Sequence, residues 1–177
     1  MKILVLNSGS SSIKYKLFEM PSEKLVVSGI VERIGESKSK IIHEIYSSRL
    51  GEQSFAETSQ VKDHTDGLTR IANYLFNKTY GVVSSPDEIE AIGHRVVHGG
   101  EEFSQTTLIT EAVKNKIRTL SFLAPLHNPA NLLGIEVAER VFPRARQVAV
   151  FDTAFHQTMP DYAFRYAIPE ALYRQHH

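Results

Sequence analysis

The 177-residue sequence contains no cysteine, which excludes a disulfide framework, a thiolate metal site and a cysteine nucleophile. It has no excess of either charge, since 20 Lys and Arg balance 20 Asp and Glu. A protein that tracks nucleic-acid phosphates carries a basic surplus, and here there is none. No apolar run approaches the roughly 18 residues needed to span a bilayer. The first such run, Ile3 to Leu6, gives way at once to polar residues and does not read as a signal peptide. Internal repeats and low-complexity tracts are absent as well. What is present is a 42% apolar fraction, enough for one sizeable core and too high for a disordered chain. At about 150 residues per domain, the length predicts one domain and a small remainder. At this level the reading is a soluble protein of the cytoplasm, with neither nucleic acid nor membrane as partner, that acts on small molecules or on another protein.

The first half reads as strands. Ile3 to Leu6 is a continuous apolar run of the kind found in a strand buried on both faces. Ile13, Tyr15 and Leu17 alternate with Lys14 and Lys16, as in a strand with one wetter face. Leu25–Val31, Ile41–Tyr46 and, more weakly, Glu52–Thr58 follow, separated by turn residues at Ser8-Gly9-Ser10, Pro21-Ser22, Gly35-Glu36-Ser37 and Gly51. Short turns between successive strands favour antiparallel pairing. In the second half, Leu68, Ile71, Ala72 and Leu75 recur at helical spacing, with Gly81 as the stop. Ile89–Val97 returns to strand character, and Thr110 caps a helix whose stripe is Val113, Ile117 and Leu120. Asn128-Pro129 reads as an N-cap followed by proline, opening a helix with the stripe Leu133, Val137 and Val141. Val148–Phe151 is a buried strand closed by Asp152. The stretch Tyr162–Tyr173 shows no helical or strand unit of its own, and the sequence stops at His176-His177, native or the stub of a tag. The pattern predicts an α/β domain with a mixed sheet.

Four segments carry residues suited to chemistry. The first is Asn7-Ser8-Gly9-Ser10-Ser11-Ser12-Ile13-Lys14, a tight turn between two strands. Its backbone N–H groups, the serine hydroxyls and the Lys14 charge suit a phosphate, although the same composition makes an ordinary hairpin turn. It is no P-loop, because a strand follows and the Gly-x4-Gly-Lys spacing is missing. The second is Gly93 to Gly100. Arg95 and Val97 lie two apart and share a strand face, a pairing that fits a short carboxylic acid or else an exposed edge arginine. His94 and His98 stand about 13 Å apart on an extended strand and cannot chelate one ion. The third is Ala124 to Pro129, where His127 precedes a helix start that disfavours imidazolium. His127 either donates to a transferring group or packs under the loop, and Leu126 is either pocket or core. The fourth is Asp152, at a strand C-terminus, a place for ligand contacts and equally for a helix cap. His156 reads as structural.

Taken together, LVLNSGSSSIKYKLFE, AIGHRVVHGGE, SFLAPLHNPANLLGIE and VAVFDTAFHQTMP resemble the signature blocks of acetate kinase, the acetokinase family, in order and spacing from Met1 to Ala167. Propionate and butyrate kinases share parts of these motifs. The resemblance implies the two-lobed fold of sugar kinases and actin, with residues 1–152 as the N-terminal lobe and 153–177 as the start of the second. It implies reversible transfer of the γ-phosphoryl group of ATP to acetate, giving acetyl phosphate and ADP with Mg²⁺, a step toward acetyl-CoA. It places Asn7 near the metal, and Ser10, Ser12 and Lys14 near the transferring phosphoryl group. Arg95 would hold the carboxylate or the phosphoryl oxygens, Val97 and Leu126 would wall the methyl pocket, and His127 would donate to the transition state. Asp152 would position the metal or the attacking carboxylate. The family's chains are longer and tend to dimerise. The chain alone is therefore expected to hold about half an active site, without the adenosine side, and to be monomeric and inactive. A propionate or other short-chain carboxylate kinase and a non-catalytic anion-binding domain are the competing expectations.

Overall fold

Five consecutive strands, β1 (Lys2–Ser8), β2 (Ser12–Glu19), β3 (Lys24–Glu32), β4 (Ser39–Ser47) and β5 (Gly51–Ser59), form an antiparallel meander. They are followed by α1 (His64–Leu75), β6 (Ile89–Val96), β7 (Thr107–Leu108), α2 (Glu111–Thr119), α3 (Asn128–Val141) and β8 (Arg146–Phe151). Two short helices, α4 (Asp161–Phe164) and α5 (Glu170–His176), end the described chain. In this computed structural model, which describes residues 1–47 and 51–176, the eight strands make one sheet in the order β5-β4-β3-β2-β1-β6-β8-β7. β6 pairs parallel with β1 and β8 parallel with β6, while the two-residue β7 runs antiparallel to β8. This is the mixed α/β sheet expected of the N-terminal lobe in the actin-like fold. Its consequence for function is geometric: three parallel strands end side by side at Ser8, Val96 and Phe151.

The alternation along the strands sends one set of side chains beneath the helices. Leu4, Leu6, Ile13, Leu17, Val27, Val31, Ile41 and Ile45 meet Leu68, Ile71 and Leu75 of α1 in the larger core. Those three α1 residues are fully buried, and each such burial contributes roughly 1.5–3 kcal/mol. A smaller core joins Val96, Ala149 and Phe151 to Val113 and Ile117 of α2 and to Leu132 and Ile135 of α3. Thr110 caps α2 as expected, its Oγ1 accepting from the Val113 N–H at 3.4 Å. Two of the buried histidines, His43 and His94, sit in these layers. His43 lies between the rings of Tyr15 and Tyr74, with Nδ1 2.7 Å from the Tyr15 hydroxyl, and burial holds its pKa down at about 4. His94 donates from Nε2 to Gln147 Oε1 at 2.7 Å and is likewise held down at about 4, mainly by burial.

The structure departs from the sequence pattern in five places. α1 ends at Leu75, before Gly81, which instead donates to the Asn77 carbonyl in the following turn. The face that α3 buries includes Asn128, Asn131, Leu132, Gly134, Ile135, Val137 and Ala138, whereas Leu133 is exposed. Polar and small residues face the sheet there because α3 approaches β1 and β6 closely, and a hydrophobic stripe does not register them. Asn128 is also no N-cap, as its side chain turns inward to the sheet. β7 is too short to show alternation. The tail forms α4 and α5 where no unit was expected. They are held by ion pairs of Arg165 with Asp161 and of Arg174 with Glu170, and by Arg165 lying 3.9 Å over the Tyr173 ring. Neither helix buries a residue, so apolar periodicity has nothing to report. His177, half of the terminal histidine pair, lies outside the described residues.

Candidate functional site

The parallel strand ends bring the expected residues to one edge of the sheet. Asn7 stands opposite Lys14 across β1 and β2, and Arg95 stands opposite Val150 across β6 and β8. β1 and β6 pair through Leu6 and His94, so Asn7 and Arg95 are the next residues on each strand. Val5, Lys14, Arg95 and Val150 are exposed on the face away from the helices. Asn7 and Lys14 line an open trough of about 460 Å³ on that face, which also takes in Lys16, Ser28 and Glu44.

The turn after β1 has an unusual division of its polar groups. The Gly9 N–H donates to the Ser12 carbonyl at 2.8 Å, and the Ile34 N–H donates to the Ser11 carbonyl at 2.9 Å. The Ser8 carbonyl accepts from Asn131 Nδ2 at 2.7 Å. The Gly9 carbonyl lies 2.6 Å from His64 Nε2, and because a carbonyl only accepts, that nitrogen carries the proton. Four carbonyls of the turn are thus engaged. The N–H groups of Ser10 and Ser11 have no protein acceptor among the described residues. Ser10 and Ser11 are exposed and Lys14 follows on β2. The turn therefore presents donors and a cation to the outside, the arrangement that holds an anion.

The second segment, after β6, is arranged the other way round. Val97 leaves the ladder, its N–H donating to Asn131 Oδ1 at 3.1 Å. The His98 N–H donates to Asn128 Oδ1, and Asn128 Nδ2 returns a bond to the His98 carbonyl. The Gly99 N–H goes to Thr153 Oγ1 and the Gly100 N–H to His98 Nδ1. No backbone donor from Val97 to Gly100 is left for a ligand, so this segment can act only through side chains.

The side chain at this strand end is Arg95, on β6 itself, which the structure joins to Asp152. Arg95 Nε donates to Asp152 Oδ1 and Oδ2 at 3.0 and 2.9 Å, and Nη2 donates to Oδ2 at 2.6 Å. The bond to Asp152 raises the guanidinium pKa further above its ordinary value. The sequence offers both residues but not their pairing, which depends on β6 and β8 being parallel neighbours. His127 and Leu126 lie on the loop before α3, both exposed, and Val97 is half-buried at the strand end. Among the described residues no hydrogen bond or ion pair joins the His127 side chain to the Arg95–Asp152 pair. His156 is exposed beside Phe155. Sequence reasoning missed His64, Asn128, Asn131 and Thr153. The one signal available was two asparagines three apart in the first turn of a helix, on the face that should have been apolar.

The sequence matches the acetokinase family over residues 2–177. It is 54% identical over 176 residues to acetate kinase of Flavobacterium johnsoniae and 51% identical over the same length to that of Halothermothrix orenii. Both alignments cover 99% of this chain and 43% of the relative, so the chain spans less than half the length of these relatives. The crystal structure of Porphyromonas gingivalis acetate kinase superposes with a TM-score of 0.89 at 43% identity, covering 99% of this chain and 43% of that one. A propionate kinase from Francisella tularensis gives 0.87 at 39% identity, with the same coverage. With the fold and the match over nearly every residue in agreement, the chain belongs to the acetokinase family.

Proposed function

We propose that the protein transfers the γ-phosphoryl group of ATP reversibly to acetate, giving acetyl phosphate and ADP, in the cytoplasm. Residues 1–152 supply the phosphoryl and carboxylate side of the site, and 153–177 begin the segment leading to a second lobe. The observation that carries this reading is the Ser8–Ser12 turn, four of whose carbonyls are engaged while the Ser10 and Ser11 N–H groups have no acceptor among the described residues, with Lys14 exposed on the strand that follows. Phosphoryl transfer to a carboxylate needs no protein nucleophile, because the carboxylate itself attacks. What it needs is alignment and neutralisation of charge.

In this reading the turn N–H groups, the Ser10 and Ser12 hydroxyls and Lys14 hold the phosphoryl oxygens. Arg95 takes the acyl carboxylate or the phosphoryl oxygens through its planar fork, and Asp152 fixes the orientation of that fork. Val97 and Leu126 face the methyl group, and His127 donates to the charge that develops on transfer. The family resemblance also brings in Mg²⁺. Among the described residues no cluster of three or more His, Cys, Asp or Glu side chains could enclose a metal. Asn7 would offer an amide oxygen, and Asp152 a carboxylate now engaged by Arg95, to an ion coordinated mainly by nucleotide phosphates and water. When bound, the ion neutralises phosphate charge. Family relatives tend to be dimers, and we extend that to the complete protein.

The similarity to a propionate kinase supports a second acid as substrate, a short-chain carboxylate one methylene longer. The test is expression of this chain alone and of the chain completed with the remaining portion of the Flavobacterium johnsoniae acetate kinase, followed by ATP-dependent acyl phosphate formation with acetate and with propionate. The completed protein should be active and the 177-residue chain inactive. Turnover by the purified chain alone, or none by the completed protein, would overturn the reading.

A further inference from the structure

We infer that Asn131 and His64 are positioning residues that aim the Ser8–Ser12 turn, and that Asn131 couples this turn to the Arg95–Val97 strand end. The inference rests on the phosphoryl-transfer reading above. Neither residue is offered as touching substrate, since both are buried, at 3% and 7% exposure.

A turn that holds a phosphate must present its N–H dipoles and keep its carbonyl dipoles away, because each peptide unit turned over would face the anion with its negative end. Two consecutive carbonyls in this turn, Ser8 and Gly9, are fixed by side chains from two different helices. Asn131 Nδ2 on α3 holds the first at 2.7 Å, and His64 Nε2 on α1 holds the second at 2.6 Å. The residues come from positions 131 and 64, so the turn is clamped by parts of the chain far from it and from each other. The free N–H groups of Ser10 and Ser11 come immediately after this clamp.

Asn131 uses its other amide atom as well. Oδ1 accepts from the Val97 N–H at 3.1 Å, so one planar amide spans the ends of β1 and β6. The distance between the phosphoryl-holding turn and the strand carrying Arg95 is thereby set by a rigid group. Gly134, one helical turn on, allows the approach. A Cβ there would overlap Ser8 Oγ and Cβ. Ser8 Oγ itself is buried and has no hydrogen-bond partner among the described residues, so the serine is held by packing and by its carbonyl.

The test compares Asn131→Leu and His64→Phe, which remove the donors, with His64→Gln, which returns an N–H near the position of Nε2. Hydrogen exchange in the 177-residue chain is read for the peptide spanning residues 6–12 and, as a control, for the β4 peptide spanning 39–47. Kinetics are read in the completed enzyme. Donor loss should speed exchange in the first peptide alone, and should lower kcat by about 10- to 100-fold, the usual penalty for misplacing a reacting group by an ångström. For His64→Phe, KM for acetate should stay within about threefold, since the residues proposed to hold the acid keep their own hydrogen bonds. His64→Gln should restore both readouts. Equal acceleration of both peptides would make these residues general stabilisers, and an unchanged kcat would make the clamp irrelevant to transfer; either overturns the inference. If Asn131→Leu does not fold, the two His64 variants decide by the same criteria. If the unsubstituted completed enzyme makes no acyl phosphate, the phosphoryl-transfer reading itself falls and takes this inference with it.

Discussion

Two glycine-containing segments leave neighbouring parallel strands at the same edge of the sheet, and they treat their backbones in opposite ways. In Ser8–Ser12 four of the five carbonyls are taken and, among the described residues, the Ser10 and Ser11 N–H groups remain; in Val97–Gly100 every N–H is taken by a side chain. Their glycines differ accordingly. A Cβ at Gly9 would make only ordinary contacts with Ser12, the nearest at 3.4 Å, so the turn is open there. A Cβ at Gly99 would press on Phe103 and Phe151 at 2.9 Å, and Gly100 adopts φ +63°, so that glycine pair serves tight packing and a left-handed bend. Glycine-rich sequence is therefore no guide to anion binding by itself. What matters is which partner the surrounding helices supply to each peptide unit.

Acid is the most drastic way to erase the contrast, because it attacks the layers behind both segments. His43 and His94 are held near pKa 4 when folded, against an ordinary value of 6.5. The unfolded chain takes up their protons first, so the stability they confer is complete above about pH 6.5 and is lost as pH falls toward 4. Each should account for about 3 kcal/mol over that range. Urea melts at half-unit pH steps check this, and His43→Phe should remove about half of the acid slope. A slope unchanged by that substitution would mean that His43 is not the titrating group.

The next effect sharpens the comparison at the site. With the Val97–Gly100 N–H groups engaged, Arg95 at the end of β6 is the donor left at this strand end, and Arg95→Ala should lower kcat/KM by about 10- to 100-fold in the completed enzyme, whichever acid is supplied. A loss of only twofold would remove this strand end from the site. Val97→Ala, one residue past the end of β6 and so outside the alternation that was expected to align it with Arg95, should change the ranking of acids instead. Propionate should gain on acetate by about tenfold, as one methylene of pocket space is worth about 1–3 kcal/mol. An unchanged propionate-to-acetate ratio would show that Val97 does not wall the acyl pocket. The smallest effect tests the engaged backbone directly. Thr153→Val takes the acceptor from the Gly99 N–H and should cost about 1 kcal/mol of stability in urea melts, with KM for ATP unchanged.

The strands and the paired cores were legible from alternation and helical spacing, and the turn chemistry at Ser8-Gly9-Ser10 marked the loop between β1 and β2. Asn7, Lys14, Arg95 and Asp152 were each legible as residues at strand ends. What could not be read was adjacency. Arg95 meets Asp152 only because β8 lies beside β6, and Asn7 comes level with Arg95 only because β6 lies beside β1. Asn128 looked like a cap because the NP dipeptide is a common helix start, yet the helix begins with that residue already turned to His98. His64 was invisible for a different reason. A histidine at the start of a helix has no pattern to distinguish a solvent-facing ring from one that clamps a loop, and only the packing of α1 beneath β2 decides it. The tail helices escaped notice because charge pairs rather than buried apolar faces hold them.

The sheet order also carries a message about how the chain folds. β2, β3, β4 and β5 pair with neighbours in sequence, so the meander can assemble as soon as it is synthesised. β1 is different: one edge is satisfied early by β2, but the other waits for β6, with Leu6 finding His94 across most of the first half of the chain. Closing so long a loop is slow compared with forming hairpins. Until it closes, Ile3 to Leu6 is an apolar strand with an open row of hydrogen-bonding groups, which is the configuration that recruits other chains. The free edge of β1, next to the Ser8–Ser12 turn, is thus sealed only after the whole meander has formed, and a nascent chain that stalls before β6 is the form that leaves it open to aggregation.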